Sequence, residues 1–176
     1  MKYLVAFYSN TGTTRMAAES IARMLGADLE VIEERKPRPV LNVGPGKAGS
    51  GAVARAGIAA LLRFGARLAP SRFRADEYDV VVVGTPVWVG SVTPPVRSYL
   101  RRQRMHFRSV AFFCTAGEPT TVRAFRQMEE LVHRQPVACI ALKAEDVKSG
   151  AYEDMLAGFI EAIERSCLML PARESA

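Results

Sequence analysis

The 176-residue chain is poor in the groups that build metal and disulfide chemistry, with three cysteines and two histidines. Cys114, Cys139 and Cys167 are widely spaced and odd in number, which excludes a disulfide framework and a CxxC site and predicts reduced thiols. His106 and His133 are too few for a histidine-rich zinc centre. The longest apolar run, around residues 80–83, falls far short of the ~20 residues that span a bilayer, and Ser9 and Asn10 come too early for a signal peptide. A soluble, cytoplasmic protein is expected. Neither GxxxxGK[ST] nor GxGxxG follows the first apolar segment, so the usual anchors of ATP and of dinucleotides are missing. Acid is also missing locally. Residues 35–74 carry nine Lys or Arg and no Asp or Glu, and residues 97–108 carry five Arg and no acid. The net charge of +6 therefore comes from two basic segments in a chain that is otherwise neutral to acidic, which points to anionic partners.

What is present is enough apolar material, 49% of residues, for a full core in one domain spanning residues 1–176. Residues 2–8, KYLVAFY, read as a strand, and Ala17, Ile21, Met24 and Leu25 recur at helical spacing behind it. Gly26 ends that helix, and residues 28–33 alternate like a strand at a sheet edge. Residues 36–51, rich in Pro and Gly, read as an extended loop, and the apolar spacing from Val53 to Leu68 predicts a helix carrying Arg55, Arg63 and Arg67. Together they make a basic loop-helix segment within 35–74. YDVVVVG at 78–84 is the continuous β-branched run of a central strand, followed by a loop at 85–94 and a helix opening at Pro95. Strands at 109–114 and 137–142 and helices at 120–133 and 151–165 complete an alternation of five strands with five helices. That pattern predicts a three-layer α/β/α sandwich on a parallel sheet, with ligands beyond the carboxyl ends of the strands.

Three loops lie at those ends. Ser9, Asn10, Thr11, Gly12, Thr13 and Thr14 surround the start of the first helix, whose free N–H groups favour a phosphate. Thr85, Pro86, Val87, Trp88, Val89 and Gly90 follow the central strand and carry the chain's one tryptophan beside a glycine, an arrangement suited to a flat ring. Thr115, Ala116, Gly117 and Glu118 follow the fourth strand and offer backbone N–H groups to another ligand edge. Each also has a plain structural reading, as a helix cap, a core tryptophan and an ordinary strand-to-helix turn respectively.

Taken together, SNTGTT, GTPVWVG and FFCTAGEP resemble the phosphate loop, the tryptophan loop and the third flavin loop of the flavodoxin family, over nearly the whole chain. The resemblance implies a five-stranded sheet in the order 2-1-3-4-5 and FMN as cofactor. It places the phosphate on residues 9–14, Trp88 on the isoalloxazine, and 85–90 and 115–118 around the ring edges. It implies an electron-transfer protein or, alternatively, an FMN-dependent NAD(P)H oxidoreductase acting on quinone-like substrates.

Two departures bear on that choice. Many flavodoxins cover the outer flavin face with a tyrosine from the third loop, whereas residues 115–121 contain no aromatic. The face is then open to a nicotinamide or quinone, or covered from elsewhere, such as the loop before Val53. Familiar flavodoxins are acidic near the flavin, while here Arg55, Arg63 and Arg67 are expected near Arg97, Arg101 and Arg104. Such a basic face suits an acidic redox partner or a membrane surface, or is a solvated face, and it should raise the potential of a bound flavin. The helix at 53–68 suits either a homodimer contact or packing on the sheet. A module binding other anions or nucleic acid lacks any recognised motif here, and a hydrolase lacks a GxSxG elbow at Ser9 or Ser91 and a histidine beside Cys114. No side chain in the loops is assigned a catalytic role, and Glu118 is read as a helix cap or solvent contact.

Overall fold

The computed structural model describes residues 1–35, 65–117 and 121–168. Along the chain run β1 (Tyr3–Phe7), α1 (Thr13–Leu25), β2 (Asp28–Val31), β3 (Val80–Trp88) and β4 (Ser91–Val92). Then follow α2 (Pro94–Gln103), β5 (Val110–Ala116), α3 (Val122–Val132), β6 (Cys139–Lys143), α4 (Ala144–Ser149) and α5 (Glu153–Leu168). The sheet order is β2-β1-β3-β5-β6, every pair on that path is parallel, and β4 hangs off β3 as an antiparallel partner. With β4 set aside, the five parallel strands keep the expected 2-1-3-4-5 order.

Strand periodicity explains the layers. Successive side chains alternate between the two sheet faces, so Leu4, Ala6, Val81, Val83 and Phe112 enter a core with Val96, Tyr99 and Leu100 of α2 and Ala124 and Met128 of α3. Val5, Phe7, Val82, Ala111 and Phe113 enter the opposite core with Ala17 and Ile21 of α1 and Leu156, Phe159 and Ile163 of α5. Val80–Val83 are wholly buried, and each such valine stabilises the fold by about 2 kcal/mol. This is why β3 reads as an unbroken apolar run rather than an alternating one. At the end of α1, Gly26 takes φ +60°, and Ala27 N donates to Ala22 O at 2.9 Å, which closes the helix where the glycine predicts.

Several boundaries differ from the sequence expectation. The central strand does not stop at Gly84 but runs on to Trp88, because Thr, Val and Trp are strand formers and Val89-Gly90 can turn the chain back into β4. The expected loop at 85–94 is thus mostly a hairpin, and α2 opens one residue earlier, at Pro94. β2 ends at Val31 rather than residue 33, β5 extends to Ala116, and β6 begins at Cys139. Helix α3 is shorter than residues 120–133, α5 occupies 153–168 rather than 151–165, and α4 was not expected. The helix expected at 53–68 falls mostly outside the described residues, as does the loop at 36–51. Its described end, 65–68, is not helical, and Leu68 pairs with Glu34 in an isolated antiparallel bridge. Ala66 N donates to Ser98 Oγ at 2.8 Å, which sets that end against α2. Arg55 and Arg63 lie outside the described residues, so the expected basic face is seen only from the exposed Arg67 and from the Arg residues at 97–104.

Candidate functional site

Ser9, Asn10, Thr11 and Gly12 lie between β1 and α1, and Thr13 and Thr14 are the first two residues of the helix. Gly12 sits at the helix cap with φ +93°, a backbone conformation that costs a side-chain-bearing residue energy and glycine little. Ser9 Oγ accepts from Gly12 N at 3.1 Å, which closes the turn locally. Among the described residues no side chain caps α1, and no acidic residue occupies its first turn. The first N–H groups of the helix have no intrahelical partner, and no acid there offsets the positive end of the helix dipole. This arrangement suits a phosphate.

The tryptophan segment is built differently. Thr85, Pro86, Val87 and Trp88 are the last four residues of β3, and Val89 and Gly90 form the turn to β4. Both turn residues have positive φ, +50° and +69°, as a two-residue hairpin with the favoured twist requires. For a β-branched residue such as Val89 that region is unfavourable, so neighbouring contacts must hold it. Thr85, fully buried, bonds Thr93 Oγ1 at 3.0 Å across the base of the hairpin. At its tip Trp88 meets Tyr8 edge to face, with ring centroids 6.1 Å apart. Val89 remains exposed.

Thr115 and Ala116 end β5 and Gly117 follows, while Glu118 lies outside the described residues. Thr14 Oγ1 and Thr115 Oγ1 are 2.8 Å apart and buried, a hydroxyl pair that joins the first loop to the third. Tyr8 N donates to Gly84 O at 3.2 Å and joins the first loop to the base of the second. In register, Pro86 lies beside Thr115. The described parts of all three loops therefore meet where strand order reverses, around β1, β3 and β5.

Sequence reasoning missed several residues here. Tyr8 reads as a strand end, and its contact with Trp88 is visible only once β1 and β3 are paired. Gln127 of α3 is bonded to both residues of β4, and Arg97 of α2 donates to Gln127 Oε1 at 3.1 Å. Nothing local in the sequence links positions 91, 97 and 127. Cys114 is fully buried in β5, and burial pushes its thiol far above the ordinary range, which removes it as a thiolate nucleophile. Among the described residues no group of His, Cys, Asp and Glu could hold a metal ion, and no helix is long and apolar enough to cross a membrane.

Comparison with solved structures shows the same fold at low sequence identity. A flavoprotein from Lactobacillus acidophilus NCFM, solved in complex with FMN, is 19% identical with a TM-score of 0.62 over 84% of this chain and 97% of its own. The oxidised flavodoxin 2 of Bacillus cereus is 16% identical with a TM-score of 0.53, covering 94% of this chain and 99% of its own. An NADH:FMN oxidoreductase in its apo form is 16% identical with a TM-score of 0.52, over 98% and 92%. No curated protein matches. The flavodoxin family model matches residues 2–163, which takes in the described parts of all three loops and the whole parallel sheet, and the chain belongs to the flavodoxin family.

Proposed function

We propose that the protein binds FMN at the carboxyl end of the sheet and acts as an electron-transfer flavoprotein. The observation that carries this reading is the convergence of an uncapped, acid-free helix start with the tryptophan hairpin at the strand-order reversal. The N–H groups around Gly12, Thr13 and Thr14, with the hydroxyls of Ser9 and Thr11, would hold the phosphate. Trp88 would lie against the isoalloxazine, with residues 85–90 and 115–118 at its edges. When bound, FMN supplies one- or two-electron exchange through that ring system. The chain's own residues bind and orient it, and none of the described residues of the three loops carries a carboxyl or imidazole group that could serve as a dedicated proton donor.

A second reading, an FMN-dependent NAD(P)H oxidoreductase for quinone-like substrates, draws on the lack of an aromatic residue in 115–121. An uncovered outer face would admit a flat hydride donor. In the carrier reading the natural partner is an acidic protein facing the exposed Arg101, Arg102 and Arg104. The test is to add FMN to purified protein, remove the excess, and follow the visible band without oxygen as NADH and then NADPH are added. Retention of FMN with no bleaching by either nicotinamide supports the carrier. Rapid bleaching supports the oxidoreductase, and failure to retain FMN overturns both.

A further inference from the structure

Val89 occupies a backbone conformation, φ +50°, that is unfavourable for a β-branched residue, and such strain persists only where the surroundings over-determine it. The hairpin supplies little of that support itself, since β4 is two residues long and pairs with β3 through Val87 with Val92 and Trp88 with Ser91. The remaining support comes from another layer. Gln127, in the middle of α3, accepts from Val92 N through Oε1 at 3.2 Å and donates from Nε2 toward Ser91 Oγ at 3.5 Å. One amide side chain thus serves both residues of the returning strand.

Arg97 fixes the orientation of that amide. Its Nη2 donates to the same Oε1 at 3.1 Å, and a guanidinium can only donate, so the oxygen of Gln127 must face Arg97 and Val92 and the nitrogen must face Ser91. The arrangement is costly. Arg97 is half-buried, its Nε has no partner among the described residues, and no described carboxylate lies within salt-bridge distance of it. Burial and the neighbouring Arg101 push its pKa down, and Glu130 offsets this only in part. A cation kept in such surroundings against a neutral amide breaks the usual pairing rule, and departures of that kind concentrate where a site must be held in place.

We propose that Gln127, oriented by Arg97, is a positioning residue that clamps β4 and thereby sets the Trp88-Val89-Gly90 turn for the flavin. The proposal rests on FMN binding at the hairpin, but the clamp exists without the cofactor and can be measured without it. The loss of the clamp should release Val92 N–H and let the hairpin fluctuate, so that FMN must order it on binding.

The experiment compares wild type with Gln127→Leu, Gln127→Glu and Ser91→Ala by amide hydrogen exchange on FMN-free protein and by FMN titration. In Gln127→Leu the Val92 amide should lose about tenfold or more of its protection and FMN should bind roughly tenfold more weakly, in line with the loss of a few hydrogen bonds. The Phe112 amide, which donates to Ala138 O in the sheet, should keep its protection. Gln127→Glu keeps an acceptor for Val92 and gives Arg97 a carboxylate, so it should stay within about twofold of wild type in both readouts. Ser91→Ala removes the weakest contact and should fall between, and together with Gln127→Glu it decides the matter if Gln127→Leu does not fold. Wild-type exchange at Val92 and wild-type FMN affinity in Gln127→Leu would overturn the clamp. So would equal loss of protection at Val92 and Phe112, which marks general destabilisation. If wild-type protein does not bind FMN, the flavin reading fails, while the exchange at Val92 still decides whether Gln127 holds the hairpin.

Discussion

In the β1–α1 loop the residue at positive φ is Gly12, and Ser9, three positions away, accepts its N–H. In the β3–β4 hairpin positive φ falls on Val89 as well as Gly90, and the bonds that steady the turn come from Gln127 of α3 and from Thr85 and Thr93 at its base. The loop proposed for the phosphate is therefore shaped by adjacent residues with the right backbone freedom. The hairpin proposed for the ring is shaped by packing and hydrogen bonds between elements far apart in sequence. A family can keep the first as a short motif, but it can keep the second only by keeping the whole arrangement of β3, β4, α2 and α3.

The sharpest contrast between the two ends is in their glycines. At Gly84, beneath the hairpin, an added Cβ would lie 2.0 Å from the Phe113 ring, whereas at Gly12 it would meet nothing within 4 Å. Gly84→Ala is expected to destabilise the fold by about 3 kcal/mol through overpacking, and Gly12→Ala by about 1 kcal/mol through backbone strain alone. Urea denaturation of the two variants checks the difference, and equal losses would break the distinction between a packed end and a locally coded one.

The hydroxyl pair that joins the loops comes next. Thr14→Val leaves Thr115 Oγ1 buried without its partner and is expected to cost about 2 kcal/mol, while changing both threonines to valine should cost less than the two single changes added together. A double-mutant cycle in urea reads this coupling directly. Additive losses would mean that the first and third loops are not held through this bond.

Glu30 provides a reference outside both loops. It is buried on β2, its Oε1 accepts from Arg72 N at 2.8 Å, and the Tyr99 hydroxyl faces the carboxylate without reaching full hydrogen-bond geometry at Oε2. Burial raises its pKa above the ordinary carboxyl value. The folded state therefore holds this proton more tightly than the unfolded state. The resulting penalty is absent below the ordinary carboxyl range, grows as pH rises through it, and is complete above the raised value. Glu30→Gln is expected to stabilise the protein on the order of 1 kcal/mol near neutral pH and to lose that advantage in acid. Urea midpoints across the pH range check it, and a constant difference would remove the titration of Glu30 as the cause.

The smallest expected effect has the opposite sign. Val89→Asn places a residue that tolerates positive φ beside Gly90, and should stabilise the FMN-free protein by about 0.5–1 kcal/mol. A thermal scan that shows no gain would mean that the hairpin contacts, rather than the turn residues, dominate its stability.

The same division governs how much was legible beforehand. The parallel sheet follows from the β-branched run at 80–83, the alternation at 28–33 and the helical spacings along the chain, which are local patterns, whereas its order came with the resemblance to the flavodoxin family. The turn at Gly12 into α1 could be placed because it depends on adjacent residues, Gly12 at positive φ and Ser9 accepting its N–H. The continuation of β3 to Trp88 was not legible, because Pro86 and Gly90 read as a loop until β4 is seen to pair. Tyr8 and Gln127 gave no local signal and Arg97 read only as part of a basic face, because each acts through a partner brought to it by the fold.

The most direct test of the flavin site uses the chain's single tryptophan. FMN titrated into the flavin-free protein should quench Trp88 emission and saturate at one equivalent, since the ring would lie against the indole. Tight binding of one FMN with unchanged Trp88 emission, or the absence of binding, would contradict a site built on this hairpin.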